Sequence, residues 1–438
     1  MSHTPIQKGI TLKYVKNFKC IGPDCPDNCC HGWNVGMERG TYEGLKKVLP
    51  HNQFKSNIRK EAKNKSAYHA VIMMRDNGSC PFLDTSDLLC NIHKRYGESY
   101  LSIICRQYPR QVSMIGETIQ LGLTLSCPEA ARLCLLDETA AELVEFDAQP
   151  LLKQNVSFYH SQSNSPANRY LSYVNDFREV MLQLLSNQNI PFDSRLFIAL
   201  YFARQVSEYV YDGATEIDES KIVHELDLML TPGYMDDLHS EFESLPQSSA
   251  FSMSLLQTII MGRISHKGIL SQLIQAILED NGIHMVFTAN NIELTADIDL
   301  NQAFEMMLSR YQQRRDLLRN RFGAIIDQYV ENYSKNFWFK DLFIKSPSLF
   351  SHMQNLIVRI AVVKFFFFCH PELNCLVESP ETLSPEEIKT TLDQVAINSF
   401  YRFSRGIEHD QEFLSKINSE LGKQGMDSFA HLVLLLKF

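Results

Sequence analysis

Nine of the eleven cysteines in this 438-residue chain lie before residue 135, and this crowding constrains the fold more than any other feature. The early cysteines are Cys20, Cys25, Cys29, Cys30, Cys80, Cys90, Cys105, Cys127 and Cys134. The N-terminus lacks the apolar core of a secretory signal peptide, which predicts a cytoplasmic protein. Because a reducing cytosol disfavours disulfides, cysteines at this density predict metal ligation or redox chemistry.

Seven of these cysteines are predicted metal ligands, because their local density is far above that of isolated buried cysteines. The seven are Cys20, Cys25, Cys29, Cys30, Cys80, Cys90 and Cys105. Cys134, Cys369 and Cys375 are predicted to be ordinary apolar cysteines. The ligands come from separate local elements, as metal sites usually require.

Three local patterns predict how these cysteines are presented. The segment NGSCPFLDTSDLLCNIH (77–93) predicts a hairpin that places Cys80 roughly opposite Cys90. Residues 97–110 predict a short helix that ends near Cys105, and residues 118–128 predict a strand that leads into Cys127. Pro26 predicts a helix start that would put Cys29 and Cys30 in the first turn, where the helix dipole favours an anionic centre.

Zinc and an iron–sulfur cluster are both consistent with four thiolates. Structural zinc sites usually contain two C-x2–4-C pairs; Cys25 with Cys29 could be one, but no second pair exists downstream of residue 30. The later cysteines stand singly, which favours a cluster. The spacing alone leaves both metals open.

The fold class is predicted to be mainly α. Residues 1–150 mix turns, short strands and short helices and are predicted to form a small cysteine-rich domain that binds a metal centre. Residues 151–170, rich in Ser and Asn, predict a linker, and residues 171–438 predict an all-helical domain. Helices are expected at 194–213, 252–282, 300–338, 351–368, 385–400 and 411–421, with a hairpin at 288–300. No Gly-rich loop follows a predicted strand, so no Rossmann fold is expected.

Charge and hydropathy exclude two broad classes of partner. The net charge is −9, but residues 1–150 carry +2 and the remainder carries −11, which argues against nucleic-acid binding. The most apolar stretch, 356–368, is too short to span a bilayer and contains Arg359 and Lys364. It predicts a buried helix rather than membrane insertion.

The cysteine motifs resemble a known pattern. The segments FKC (18–20), CC (29–30), CPFL (80–83), CNIH (90–93) and CRQYP (105–109) are similar to those of the broad bacterial cysteine-cluster (YkgJ-like) family. The fuller segment FKCIGPDCPDNCCHGWNVGM, with its helical extension, resembles the flagellin lysine-N-methylase (FliB) family, as does FYRFSRGIEHDQEFL (400–414). His93 stands where the broader pattern has tyrosine.

The resemblance to the FliB family implies an enzyme, a protein-lysine N-methyltransferase acting on flagellin, with S-adenosylmethionine as methyl donor and a [4Fe–4S] cluster on the cysteine motif. The implied groups at the amine are Glu408, His409 and Tyr401, and Arg402 or Arg405 would hold the donor's carboxylate. Radical chemistry is not expected, because the spacing C-x3-C-x2-C would need a cysteine at Gly32.

Two other classes of function remain open from the residues alone. The cysteine domain could be a zinc-stabilised interaction module whose helical part binds a partner. The thiols could also act directly in a redox or iron sensor without methyltransferase activity. The absence of a Rossmann signature keeps the interaction module in consideration.

Overall fold

The computed structural model describes residues 8–31, 34–61, 68–115, 118–148, 157–159, 173–211, 218–247, 268–287, 292–378, 382–408 and 428–438. Within these ranges helix predominates, which confirms the predicted mainly α class. The α-helices are α1 Lys13–Asn17, α2 Arg39–Val48, α3 His51–Asn57, α4 Asn91–Tyr96, α5 Ile103–Gln107, α6 Pro128–Leu135, α7 Val174–Ser186, α8 Phe192–Tyr211, α9 Glu219–Leu230, α10 Tyr234–Ser244, α11 Ile269–Asp280, α12 Leu300–Lys340, α13 Leu349–Phe368, α14 Asn374–Glu378, α15 Pro385–Phe403 and α16 Phe429–Leu436. A π-helix, Ser404–Glu408, continues directly from α15.

The described strands form three sheets. The strands are β1 Lys8–Leu12, β2 Gly36–Met37, β3 Ile58–Lys60, β4 Ala70–Ile72, β5 Arg110–Ile115, β6 Thr118–Leu123, β7 Leu143–Asp147, β8 Ser157–Tyr159, β9 Ile283–Phe287 and β10 Ile292–Ala296. The largest sheet has the order β7-β1-β6-β5-β8, in which β1 is parallel to β6 and antiparallel to β7. The small sheet has the order β2-β4-β3, and β9 pairs with β10 as a hairpin. No sheet among these strands is the open parallel sheet of a Rossmann fold.

The long helices begin where the sequence provides caps. The Asp299 carboxylate accepts hydrogen bonds from the backbone N–H groups of Asn301 and Gln302 and starts α12. Ser384 and Glu387 form a capping box at the start of α15. The helices predicted at 194–213, 300–338, 351–368 and 385–400 are confirmed within the described residues, and α12 bends at Phe322.

The N-terminal sheet and the C-terminal helices share one hydrophobic core. Leu12, Leu123 and Cys134 are fully buried in the same cluster as the side chains of α12 and α13. The Tyr14 hydroxyl donates to Asn336 Oδ1 of α12 at 2.7 Å. A second, smaller core lies within residues 35–101 and contains the side chains of Cys80 and Phe82. We call residues 34–107, which surround this second core, the cysteine module.

The predicted linker at 151–170 contributes a strand. Ser157–Tyr159 pair in parallel with Ser113–Ile115 of β5, while the rest of the segment lies outside the described residues. The boundaries at 150 and 170 therefore stay predictions.

The apolar helix α13 is long and apolar enough to cross a membrane by length and composition, but most of it is buried inside the protein. Two of its charges are paired within the core. Lys364 Nζ lies 2.5 Å from Asp193 Oδ1, and Arg359 Nη1 lies 3.4 Å from Asp341 Oδ2. The prediction of a buried helix is confirmed.

Two local predictions are wrong in detail. No helix starts at Pro26: the chain forms a short 3-10 helix at Gly22–Asp24, and residues 26–30 form turns in which Asn28 Oδ1 accepts from Cys30 N. The hairpin predicted at 288–300 begins earlier, since its first arm is Ile283–Phe287. The predicted helix at 411–421 and the first part of 252–282 lie outside the described residues.

Candidate metal-binding and catalytic site

Three chain segments bring four of the predicted thiols together. Cys29 and Cys30 lie in the turn after the 3-10 helix, Cys80 opens the predicted hairpin, and Cys90 precedes α4 as its N-cap. Cys80 N donates to Cys30 O at 2.7 Å, which fixes one loop against the next. The predicted pairing across the hairpin takes the form of a single bridge between Leu83 and Cys90.

Gly78 allows the hairpin to approach the first loop. Its φ of +81° is a conformation that residues with a side chain rarely adopt, and a Cβ there would lie 3.3 Å from the His31 ring. His31 also forms a backbone bridge with Ser79. The close packing of Gly78 against His31 therefore holds Cys80 near Cys30.

The thiols of Cys29, Cys30, Cys80 and Cys90 are in contact, and we call these four the thiol cluster. Cys30 makes side-chain hydrogen bonds with each of the other three, and these bonds raise its pKa. The hydrogen bond with Cys30 lowers the pKa of Cys29 to about 7 and that of Cys90 to about 6, and it also lowers the pKa of Cys80. A thiol carries one hydrogen, so Cys30 can donate to, and stabilise, only one neighbouring thiolate at a time.

The described residues contain no group of three or more His, Cys, Asp or Glu side chains arranged as a metal site. The thiol cluster is thus a set of neighbouring donors rather than a formed coordination shell. Its chemistry nonetheless fits a thiolate-bound metal, because closely packed thiolates repel one another unless a cation lies among them.

Two of the other three predicted ligands, Cys25 and Cys105, interact with members of the thiol cluster, and Cys20 interacts with Cys25. Cys105, on α5, is close enough to Cys80 and Cys90 to interact electrostatically, and burial raises the pKa of its thiol to about 12. Cys25 is close enough to Cys20 and Cys29 to interact with them electrostatically, and burial raises the pKa of its thiol.

Cys127 was not among the predicted ligands, yet it lies near two of them. Burial raises the pKa of its thiol to about 12, and the charges of Cys25 and Cys20 contribute in the same direction. The sequence signal that could have included Cys127 is its position at the end of a predicted strand, since the other ligands also stand at ends of elements.

A C-terminal arginine holds the loop that carries the first thiols. Arg405, in the π-helix, forms an ion pair with Asp27. Its Nη2 donates to the carbonyl oxygens of Asn28 at 2.8 Å and of His31 at 2.9 Å. One guanidinium thus fixes three points of a loop that includes Cys29 and Cys30. Its charge also contributes to the lowered pKa of Cys29, after the hydrogen bond with Cys30.

The π-helix connects this loop to a buried polar cluster. Glu408 accepts hydrogen bonds of 2.5 Å from the Tyr333 hydroxyl and from the Ser404 hydroxyl. Burial raises the pKa of Glu408, but the charges of Lys340 and Arg359 outweigh it and leave the pKa below its ordinary value. Glu408 is therefore a buried carboxyl group whose two oxygens each accept a hydroxyl hydrogen bond. π-helical turns are frequent at functional sites.

The remaining predicted site residues lie on the same segment. Tyr401 is buried, and burial raises its pKa. Arg402 Nη1 donates to Ile269 O at 3.3 Å, and its buried Nε has no hydrogen-bond partner among the described residues. His409 lies outside the described residues. Of the four described site residues on this segment, Arg405 contacts the cysteine loop, while Glu408 contacts Tyr333 and Arg402 contacts Ile269.

A comparison with known protein families gives a match to the C-terminal part of the chain, which includes the segment with Arg405 and Glu408. Residues 178–435 match the model of the FliB lysine N-methylase C-terminal domain, which is more than half of the chain. The chain belongs to the FliB lysine N-methylase family. The predicted family, and the enzyme class of protein-lysine N-methyltransferase that defines it, are confirmed at the level of the family.

Curated relatives of the FliB family come from Salmonella. The chain is 32% identical over 135 residues to the flagellar biosynthetic protein FliU of Salmonella muenchen, which covers 30% of this chain and 79% of FliU. It is 27% identical over 199 residues to the lysine-N-methylases of Salmonella choleraesuis (strain SC-B67) and Salmonella typhimurium (strain LT2), covering 45% of this chain. The match spans about half the length of each lysine-N-methylase, 47%. No solved structure gives a significant match.

Proposed function

We propose that the protein is a cytoplasmic, S-adenosylmethionine-dependent protein-lysine N-methyltransferase that acts on flagellin. The family match over residues 178–435 carries this proposal. The names of the two lysine-N-methylases support the reaction, and the name of the flagellar relative FliU supports a flagellar substrate. The contact of Arg405 with the cysteine loop supports a single site built from both parts of the chain.

The proposed metal centre is a [4Fe–4S] cluster, with zinc as the alternative. Cys29, Cys30, Cys80 and Cys90 would hold it, because their thiols are already in contact. We propose Cys20, Cys25 and Cys105 as further ligands; Cys25 interacts electrostatically with Cys29, and Cys105 with Cys80 and Cys90. If only three of the four cysteines in the thiol cluster held the iron–sulfur cluster, the fourth iron would stay open and would supply a Lewis-acidic site for the donor's amino and carboxylate groups.

Methyl transfer to lysine is a displacement at a sulfonium methyl group, and it requires a neutral amine. A free lysine side chain has a pKa of about 10.4, so it is almost entirely protonated at neutral pH. The protein must therefore align the amine and accept its proton. We propose Glu408 and His409 as groups that accept the proton and Tyr401 as a group that aligns the amine; Tyr401 and Glu408 lie on the same described segment as Arg405, which contacts the cysteine loop.

Arg402 is the better of the two proposed donor-binding arginines. Its buried Nε has no partner in the described part of the chain, and this leaves a hydrogen available for a carboxylate. The Arg405 guanidinium already contacts Asp27, Asn28 and His31, so we assign Arg405 to positioning the cysteine loop.

The test is anaerobic purification followed by quantification of iron, acid-labile sulfide and zinc, and then a methylation assay. The assay measures transfer of a labelled methyl group from S-adenosylmethionine to purified flagellin by mass spectrometry. Cys30→Ser should lower metal content and methyl transfer together. Cys375→Ser is the matched control, because Cys375 lies in the helical part, away from the thiol cluster, and donates to Glu372 O.

Three results would contradict the proposal. Full activity in a metal-free Cys30→Ser protein would show that the thiol cluster does not serve the reaction. Equal loss in Cys30→Ser and Cys375→Ser would show a general effect of removing a thiol. Colourless wild-type protein with stoichiometric zinc and no methyl transfer would favour a zinc-stabilised interaction module.

A further inference from the structure

The cysteine module contains a groove that the methylation site does not include. Its volume is about 690 Å³, which lies within the ~300–1,000 Å³ of typical ligand-binding pockets. Helices α2 and α3 and strand β3 enclose it. The floor is apolar, because the side chains of Leu49, Phe54 and Ile58 line it. Each of these three residues is 6 to 8% exposed. We call this site the basic groove.

The rim of the basic groove is positively charged. Lys46, Lys55, Arg59 and Lys60 line it, and no Asp or Glu is among its lining residues. Arg59 pairs with Glu61 at 3.1 Å, whereas the three lysines have no acidic partner among the described residues. The three lysines, which have no acidic partner among the described residues, form a local positive field in a chain whose net charge is −9.

The floor restricts the kind of anion that fits. A nucleic-acid backbone would use the cations and leave the apolar floor in contact with water. A protein segment with acidic residues on both sides of one large apolar side chain would use both, since the apolar side chain covers Phe54 and its neighbours while the carboxylates reach the lysines. Met73, at the edge, is 38% exposed and adds to the apolar surface available to such a segment.

We propose that the basic groove binds an acidic segment of a partner protein that inserts one apolar side chain. Lys46 and Lys55 provide the charge contacts, and the Leu49, Phe54 and Ile58 side chains form the pocket for the apolar residue. The binding does not depend on the proposed methyltransferase activity, because it needs neither the donor nor the thiol cluster.

The experiment measures the binding of a short fluorescein-labelled peptide by fluorescence anisotropy, with the full-length protein. The peptide has one central leucine flanked by aspartate and glutamate residues. Lys46→Glu combined with Lys55→Glu should weaken binding by about tenfold or more, and wild-type affinity should fall as ionic strength rises. Lys47→Glu is the matched control, because Lys47 is exposed on the same helix and does not line the groove. Its affinity should stay within about twofold of wild type.

Several outcomes would overturn the proposal. The first two are a wild-type protein that does not bind the peptide, and a Lys47→Glu variant that binds it as weakly as the double variant. The other two concern the peptide: lysines in place of its acidic residues leave the affinity unchanged, or serine in place of its central leucine does so. Displacement by an oligonucleotide at equal concentration would assign the groove to nucleic acid instead. Circular dichroism checks the folding of each variant, and Lys46→Gln with Lys55→Gln replaces the double glutamate variant if that variant unfolds.

Discussion

At the scale of single residues, Arg405 connects the C-terminal π-helix to the loop that carries Cys29 and Cys30. Its guanidinium binds one carboxylate and two carbonyl groups of the loop that carries Cys29 and Cys30. The side chains of Arg405 and Asp27 are only 15% and 14% exposed. Water therefore compensates poorly for the loss of either partner, and the pair should matter more than an ordinary surface ion pair.

Replacing Arg405 with alanine should lower the free energy of unfolding by about 3 kcal/mol, because it leaves the Asp27 carboxylate largely buried and unpaired. It should also lower metal content after anaerobic reconstitution, because the loop that positions Cys29 and Cys30 loses three contacts. Urea denaturation and iron quantification measure the two effects.

A double-mutant cycle with Asp27→Asn supplies the control for this prediction. If the two residues interact, the effects of Arg405→Ala and Asp27→Asn are not additive. Arg204→Ala breaks an exposed pair with Glu208 and should cost less than about 1 kcal/mol. Additive effects of Arg405→Ala and Asp27→Asn would contradict the assigned role.

The cysteines could be predicted from the sequence, but the contacts of Arg405 could not. Thiols at high density indicate shared chemistry wherever the fold places them. Arg405 was predicted to bind the donor, because an arginine beside Glu408 carries no signal for a partner nearly 400 positions away. Cys127 was missed although it stands at the end of a predicted strand, and its interaction with Cys20 and Cys25 is visible only in the fold.

At the scale of elements, the π-helix packs closely against α11. A Cβ placed on Gly406 would lie 2.6 Å from Leu270 Cδ2 and 2.7 Å from Leu270 Cβ. Gly406→Ala should therefore lower the free energy of unfolding by about 1–3 kcal/mol, because the π-helix must move away from α11. Thermal or urea denaturation measures this change.

Gly323→Ala is the matched control for Gly406→Ala. Gly323 lies within α12, and a Cβ there would meet no atom within 4 Å. Alanine is the better helix former, so Gly323→Ala should be neutral or stabilising by up to about 1 kcal/mol. Similar destabilisation by both substitutions would show that contact with Leu270 is not the cause.

The long helices were predictable, and the turns around the cysteines were less so. Apolar spacing and the caps at Asp299 and Ser384 define α12 and α15 locally. The predicted helix start at Pro26 is wrong because the Asn28 side chain accepts from Cys30 N and Arg405 holds the neighbouring carbonyl groups. Contacts that a local pattern does not contain determine that loop.

For the whole molecule, two buried histidines predict acid sensitivity. Burial lowers the pKa of His352 to about 3 and that of His370 to about 4. In the unfolded chain both would titrate near 6.5, so the unfolded state binds more protons between these values. The contribution of the two neutral histidines to the free energy of unfolding is therefore fully present above about pH 6.5, and it decreases as the pH falls toward 4. The slope from each histidine is at most about 1.4 kcal/mol per pH unit.

Urea denaturation at several pH values between 7 and 5 measures this slope. His352→Phe should reduce it by roughly half, because phenylalanine keeps an aromatic ring against Phe337 but binds no proton. An unchanged slope in His352→Phe would contradict the assignment.

The distance along the chain between Arg405 and Asp27 also sets an order of events during synthesis. The two residues are 378 positions apart. At about 5–20 residues per second, the loop with Cys29 and Cys30 leaves the ribosome roughly 20–75 s before the arginine that fixes it. Throughout that interval the N-terminal thiols belong to a nascent chain without this restraint. The contacts between Arg405 and the cysteine loop can therefore form only near the end of synthesis, although the loop is among the first parts of the chain to be made.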